Sequence, residues 1–188
     1  VTTKDSASNV RVETGIAETS VSGDSGDITV DAEELEQNTL LTLTGSSNIT
    51  VNNLEGDVDA SGQTGTLEVT TDDAGDGGIT VQTSAGATTI NADNAGNTIT
   101  TDATALADNT LLDLNGDSAF TVTNFKGDLE ADNGAGALSV ALADAPDIEL
   151  NVARAASVNA NGLSDGNTLQ LAGAGDVTVT NLVGDIDA

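Results

Sequence analysis

Asn38-Thr-Leu-Leu-Thr-Leu-Thr-Gly-Ser-Ser-Asn-Ile-Thr-Val-Asn-Asn-Leu-Glu-Gly-Asp-Val-Asp-Ala60 decides how the chain is read, because it comes back. The second copy is Asn109-Thr-Leu-Leu-Asp-Leu-Asn-Gly-Asp-Ser-Ala-Phe-Thr-Val-Thr-Asn-Phe-Lys-Gly-Asp-Leu-Glu-Ala131. A third copy, one residue shorter, runs from Asn167-Thr-Leu-Gln-Leu to Asn181-Leu-Val-Gly-Asp-Ile-Asp-Ala188. Self-similarity on this scale marks a repeat architecture. Inside the phrase, Leu41-Thr-Leu, Ile49-Thr-Val and Val58-Asp-Ala alternate apolar with polar residues, the period of a half-buried strand. Gly, Asn, Asp and Ser lie between the runs; they accept positive φ or cap turns with their own side chains.

Outward from the phrase, residues 1–37 align with the middle of the second unit. Val1-Thr-Thr-Lys-Asp matches Val69-Thr-Thr-Asp-Asp, Val10-Arg-Val matches Ile79-Thr-Val, and Ile28-Thr-Val-Asp-Ala matches Ile99-Thr-Thr-Asp-Ala. The chain reads as one continuous array over 1–188, with repeats 1–60, 61–131 and 132–188, cut from something longer. The first repeat lacks the counterpart of Gly65-Thr-Leu-Glu-Val69. Helical periodicity is confined to Asp31-Ala-Glu-Glu-Leu-Glu and Asp102-Ala-Thr-Ala-Leu-Ala, each one turn long.

Short strands at intervals of eight to thirteen residues fit a β-solenoid or a row of small antiparallel sandwiches. Repeat length separates them. Asp57 to Asp128 is 71 residues and Asp128 to Asp185 is 57, a difference of one strand plus turn, assigned to Ile99–Asp108. A solenoid absorbs that loss as a local loop, whereas a closed sandwich is left with an unpaired edge. A narrow interior also suits a chain with two aromatic residues, Phe120 and Phe125. The expected fold is therefore all-β, a β-solenoid (parallel β-helix) of short repeated strands, with tandem β-sandwiches as the alternative.

Composition narrows the function. There are 31 acidic residues against four basic ones (Lys4, Arg11, Lys126, Arg154), a formal net charge of −27, and no Cys, His, Met, Trp or Tyr. Nothing here can neutralise phosphates, which excludes nucleic-acid binding through a basic face. Anionic lipid is equally disfavoured, and no apolar run approaches the ~20 residues that span a bilayer. Without His, Cys or Tyr the usual bases, nucleophiles and zinc or copper ligands are missing. Two nearby carboxylates could hydrolyse a glycoside, but Asp occupies nearly every turn, so proximity carries no information. The chain is expected not to be an enzyme.

The most specific recurring motif is Gly-Asp-φ-(Asp/Glu)-Ala, at Gly56–Ala60, Gly127–Ala131 and Gly184–Ala188. With Val58 and Ala60 inward, Asp57 and Asp59 face outward ~6.6 Å apart. Asp57, Asp59, Asp128, Glu130, Asp185 and Asp187 are therefore the candidate ligands for calcium, which prefers oxygen donors in flexible geometry. Asn91-Ala-Asp93-Asn94 and Asp72-Asp73 with Asp76 add oxygen-rich turns. The competing reading is solvated acids that keep the surface soluble and blunt edges. Asn38, Asn109 and Asn167 open the three copies, either as a stacked amide ladder or as strand starts. Phe120 and Phe125 replace Ile49 and Leu54, which makes them core fillers.

Leu171-Ala-Gly-Ala-Gly-Asp-Val-Thr-Val-Thr-Asn-Leu-Val-Gly-Asp-Ile-Asp-Ala188 resembles repeat regions of very large secreted bacterial proteins, adhesin-like and surface-layer-like, exported by type I secretion and associated with calcium. One departure is specific. The nonapeptide Gly-Gly-x-Gly-x-Asp-x-φ-x of that group is absent, and Gly173-Ala-Gly175-Asp176-Val177 approaches it with the Asp one position early. The resemblance implies a secreted protein at the bacterial cell surface.

Together these features predict a non-catalytic structural repeat segment of an extracellular surface, matrix or filament-forming protein, a stiff acidic spacer or self-assembling element. Expected partners are copies of itself or adjacent repeats, end to end, with extracellular glycan as a further partner. The alternative is a surface-binding module that recognises glycan, mineral or ice. Its clue is a flat row of Thr, and Thr50, Thr121 and Thr178 occupy matching outward positions in the three repeats.

Overall fold

The structure, a computed structural model, describes residues 1–3, 9–72, 78–144 and 146–188. Lys4, and Asp73 and Asp76 of the oxygen-rich turn, lie outside the described residues. The described chain forms two ten-stranded parallel sheets and no helix. Successive strands alternate between the sheets, so each pairs with the next but one in sequence. The first sheet starts at Thr2–Thr3 and Thr19–Gly23, the second at Val10–Glu13 and Asp27–Asp31. This is a β-solenoid with two strands per coil; tandem sandwiches are excluded, since every strand pairing is parallel. Coils vary from 17 residues (Leu112 to Leu129) to 24 (Thr88 to Leu112). Nine steps of ~4.8 Å give a stack about 43 Å long.

The alternation dictates the interior. Ile79, Ile99, Phe120, Leu138, Ala156 and Val177 form one inward column of the first sheet, one residue per coil. Val12, Val30, Val51, Val69, Ile90 and Leu114 form a column in the second. Their side chains are buried, apart from a half-buried Val177 at the last coil. Phe120 and Phe125 are both core residues. Each fully buried aliphatic side chain contributes roughly 1.5–3 kcal/mol, so stacking rather than any single contact holds the coils together.

The repeat and the coil have different periods. The first two repeats contain seven strands each and the third contains six. Seven strands make three and a half coils, so equivalent residues of the first and second repeats lie on opposite sheets. Six strands make three coils, so the second and third repeats stay in phase. The missing half coil is therefore not absorbed as a loop; the stack closes up and the sequence repeat keeps its sheet.

A recurring corner joins the repeats to the stack. Asp31, Asp102 and Asn159 open a turn in which Leu35, Leu106 and Leu163 donate backbone N–H bonds to Ala32, Ala103 and Ala160 at 3.0, 3.1 and 3.2 Å. These are the turns that helical periodicity marked in the first two repeats; each is a single hydrogen-bonded turn. The three leucines are buried beneath Gly56, Gly127 and Gly184. A Cβ on Gly127 would stand 2.3 Å from the Thr110 carbonyl oxygen and 2.8 Å from Leu106 Cδ2. Close approach thus requires the glycine of the Gly-Asp motif. One coil later, Asn53, Asn124 and Asn181 adopt left-handed φ of 56°, 56° and 55°. Their Nδ2 groups donate to Asp31, Asp102 and Asn159 at 3.1, 3.0 and 3.0 Å.

Candidate functional site

The six expected calcium ligands fall in three places. Asp57 and Asp59 face outward from the first sheet on Asp57–Gln63, while Asp128 and Glu130 face outward from the second on Asp128–Ala131. Asp185 and Asp187 lie exposed on the last strand of the second sheet, three coils from Asp128. Among the described residues no three acidic side chains converge to hold an ion. Several carboxylates instead serve the backbone. Asp57 Oδ1 accepts the Thr80 N–H at 2.7 Å and Asp128 Oδ1 the Glu149 N–H at 3.3 Å, each one coil on. Asp59 Oδ1 accepts both the N–H and the hydroxyl of Ser61 at 3.0 and 2.6 Å. The six residues thus lie on two sheets and on several coils rather than at one point.

The second sheet nonetheless gathers acids. Asp113 is in register with Glu130 on the next coil, and Glu149, Gln170 and Asp187 follow one another over three coils. Like charges at the ~4.8 Å strand spacing repel, and mobile counterions relieve that repulsion. Along the edge of the same sheet runs an amide ladder that the sequence did not single out. Asn133 Nδ2 donates to Asn115 Oδ1, Asn115 Nδ2 to Asn91 Oδ1, each at 3.3 Å, and Asn91 Nδ2 to Glu68 at 3.4 Å. Asn38, Asn109 and Asn167 form no such ladder. Asn38 and Asn109 hold left-handed φ of 60° and 54°, and in the third copy Gly166, at 87°, takes that place. Thr39, Thr110 and Asn167 are the equivalent residues, because their carbonyls accept the N–H groups of Asp57, Asp128 and Asp185. Backbone conformation, not the amide, is what recurs there.

The outward face of the first sheet differs. Thr50 belongs to the second sheet, on Asn48–Leu54, so the row of matching threonines drawn from the repeats does not exist as such. Thr121 and Thr178 do share a rank, and the residues between them complete it. Thr80, Thr100, Thr121, Ser139, Ser157 and Thr178 pair in register on six consecutive coils. All six are exposed except the half-buried Thr121, and none of their hydroxyls bonds to another described residue. The neighbouring rank is spent on the protein: Thr123 and Thr180 donate to the Thr101 and Val158 carbonyls at 3.4 and 3.3 Å. Asp102, in that same rank, is held below the usual carboxylate range. Burial raises it, but bonds from the Thr104 hydroxyl, Asn124 and the Thr104 N–H outweigh burial. Asp31 is likewise lowered, chiefly by Asn53.

The described cations are all engaged. Arg11 bridges Glu13 and Asp31 at 3.3 and 2.7 Å, and Lys126 lies 3.9 Å from Asp108. Arg154 turns inward and is 3 % exposed. Its Nη2 donates to the carbonyls of Leu114, at 3.3 Å, and of Asn133, while the guanidinium lies 5.4 Å from the centre of the Phe120 ring. Burial lowers its pKa, and Asp117 and Asp132 oppose that. Comparison with protein-family models, with curated proteins and with solved structures finds no match to the chain.

Proposed function

We propose that the chain is a non-catalytic structural repeat segment, a stiff acidic spacer. The observation that carries this reading is unbroken parallel pairing through ten strands of each sheet, which makes length a simple function of coil number. Small-angle scattering of the 188-residue chain tests it: a rod about 43 Å long is expected, and a compact sphere or a coil overturns it. End-to-end association with its own copies or adjacent repeats is part of the proposal. Every coil offers the next a parallel backbone edge, which supports such stacking. Sedimentation that stays monomeric at high concentration removes this part.

The setting at a bacterial cell surface rests on the resemblance of Leu171–Ala188 to repeats of secreted adhesin-like and surface-layer-like proteins. Calcium enters as a counterion that screens the second-sheet acids and not as a resident of one site. Calorimetry with calcium, with chelator and with sodium at matched ionic strength tests this: calcium is expected to raise Tm the most. A melt unmoved by chelator removes calcium from the account. A second reading, a surface-binding module, is favoured by the free hydroxyl rank of the first sheet.

A further inference from the structure

We infer that the hydroxyl rank Thr80, Thr100, Thr121, Ser139, Ser157 and Thr178 docks the chain on ordered water, the surface of ice. This deepens the surface-binding reading and rests on it, not on the spacer reading. Three observations converge. The first is spacing. Parallel strands place these hydroxyls ~4.8 Å apart. In a tetrahedral network of O–H···O bonds near 2.75 Å, oxygens that share a neighbour lie about 4.5 Å apart. The rank therefore nearly repeats a row of such oxygens, coil after coil.

The second is that the hydroxyls are unspent. Each lacks a protein partner among the described residues, whereas the adjacent Thr123 and Thr180 have carbonyl partners. The paired backbones hold these donors and acceptors at fixed spacing, and the β-branched threonines restrict χ1, which lowers the ordering cost of meeting a lattice. The third is charge. In a chain of net charge −27, the rank carries none, and beside its last coils the adjacent residues Ala141, Asn159 and Thr180 are also neutral. An ice lattice does not accommodate ions, so the uncharged stretch of the first sheet, from Thr121 to Ser157, is the part it can meet. Two of the nearest acids are hydrogen-bonded within the protein, while Asp176, two residues before Thr178, is exposed. Asp57, at the start of the rank, accepts the Thr80 N–H, and Asp102 is held by Thr104 and Asn124. Aromatic platforms, which sugar recognition uses, are missing from this face; both Phe residues are inside.

The half coil missing from the third repeat extends the rank. An odd number of strands there would carry Thr178 to the other sheet, as happens to Thr50; an even number leaves it in line with Thr121.

Ice-recrystallisation inhibition by the 188-residue chain is the experiment. The wild-type chain is expected to hold grain size constant. Thr121→Tyr and, separately, Ser139→Tyr, which stand a ring up from the face, should raise the concentration needed by about tenfold, since one blocked coil breaks a multivalent contact. Thr89→Tyr, outward on the opposite sheet, should behave as wild type, with circular dichroism confirming that each variant folds. Free grain growth in the wild-type chain overturns the inference while leaving the scattering rod intact, so the two readings fail separately. Equal loss in Thr89→Tyr, or none in folded Thr121→Tyr and Ser139→Tyr, also overturns it. Retention on cellulose without an effect on ice overturns it and assigns the face to neutral glycan.

Discussion

Thr50 and Thr121 hold the same place in the sequence repeat and lie on opposite faces of the solenoid. Thr121 and Thr178, also equivalent, lie on the same face three coils apart, about 14 Å at the strand spacing. Spin labels on paired cysteine variants read this directly. The Thr121→Cys/Thr178→Cys pair should give the shorter distance. In Thr50→Cys/Thr121→Cys the sheet separation, on the order of 10 Å, adds to the axial step, and the labels point apart. Equal distances would mean that the repeat does not change sheets.

The packing of Gly127 over Leu106 makes a second prediction. Leu106→Ala empties a buried site and should cost about 2–5 kcal/mol in urea denaturation. Gly127→Ala should cost roughly 1–3 kcal/mol, because its Cβ meets the Thr110 carbonyl, which is held by the Asp128 N–H at 3.0 Å. The double variant should not recover the Gly127→Ala loss, since the carbonyl remains when the leucine is trimmed. Full recovery would show that the side chain, not the backbone, enforces glycine there.

Asp102 links the corner to pH. Its folded pKa lies below the ordinary 3.8, so its contribution is complete above that value and is lost as pH falls through the folded pKa. Asn159 does the same work in the third repeat, accepting from Asn181 and from the Asn161 N–H. Asp102→Asn should therefore be close to neutral at pH 7 and insensitive to acid at this site. Its stability relative to wild type should rise as pH drops below about 4. Asp102→Ala, which orphans Asn124 and the Thr104 N–H, should cost about 1–2 kcal/mol at pH 7. Thermal melts at both pH values check the series.

Arg154 spans coils from the inside. Arg154→Met keeps much of the volume but leaves the Leu114 and Asn133 carbonyls without this donor, at an expected cost of roughly 2–4 kcal/mol. Arg154→Ala adds a cavity beside Phe120 and should cost more. Hydrogen exchange should rise first across residues 112–134, the segment these bonds hold. Wild-type protection there in Arg154→Met would show that the guanidinium is not a clamp.

Much of the architecture was legible beforehand because it is local. Val58-Asp-Ala alternates, and Val58 and Ala60 are indeed inside with Asp57 and Asp59 outside. Phe120 and Phe125 fill the core in place of Ile49 and Leu54. The hydroxyl rank was hidden, because a coil of about twenty residues lies beneath repeats of 71 and 57. Comparing equivalent repeat positions therefore grouped Thr50 with Thr121 and passed over Thr100, Ser139 and Ser157. Arg154 was one of four cations by composition, and nothing in Val152-Ala-Arg-Ala says that it points inward.

The sequence by itself determined the strands, their inward residues and the repeats, since side-chain alternation is a property of two or three neighbouring residues. Only the tertiary structure decided which strands share a face, because that depends on how many strands separate them, and an odd count reverses the side. The candidate site follows the same division. Its hydroxyls were visible one at a time, but their alignment into one neutral rank, away from the stacked acids, came into being when coils of unequal length closed in register.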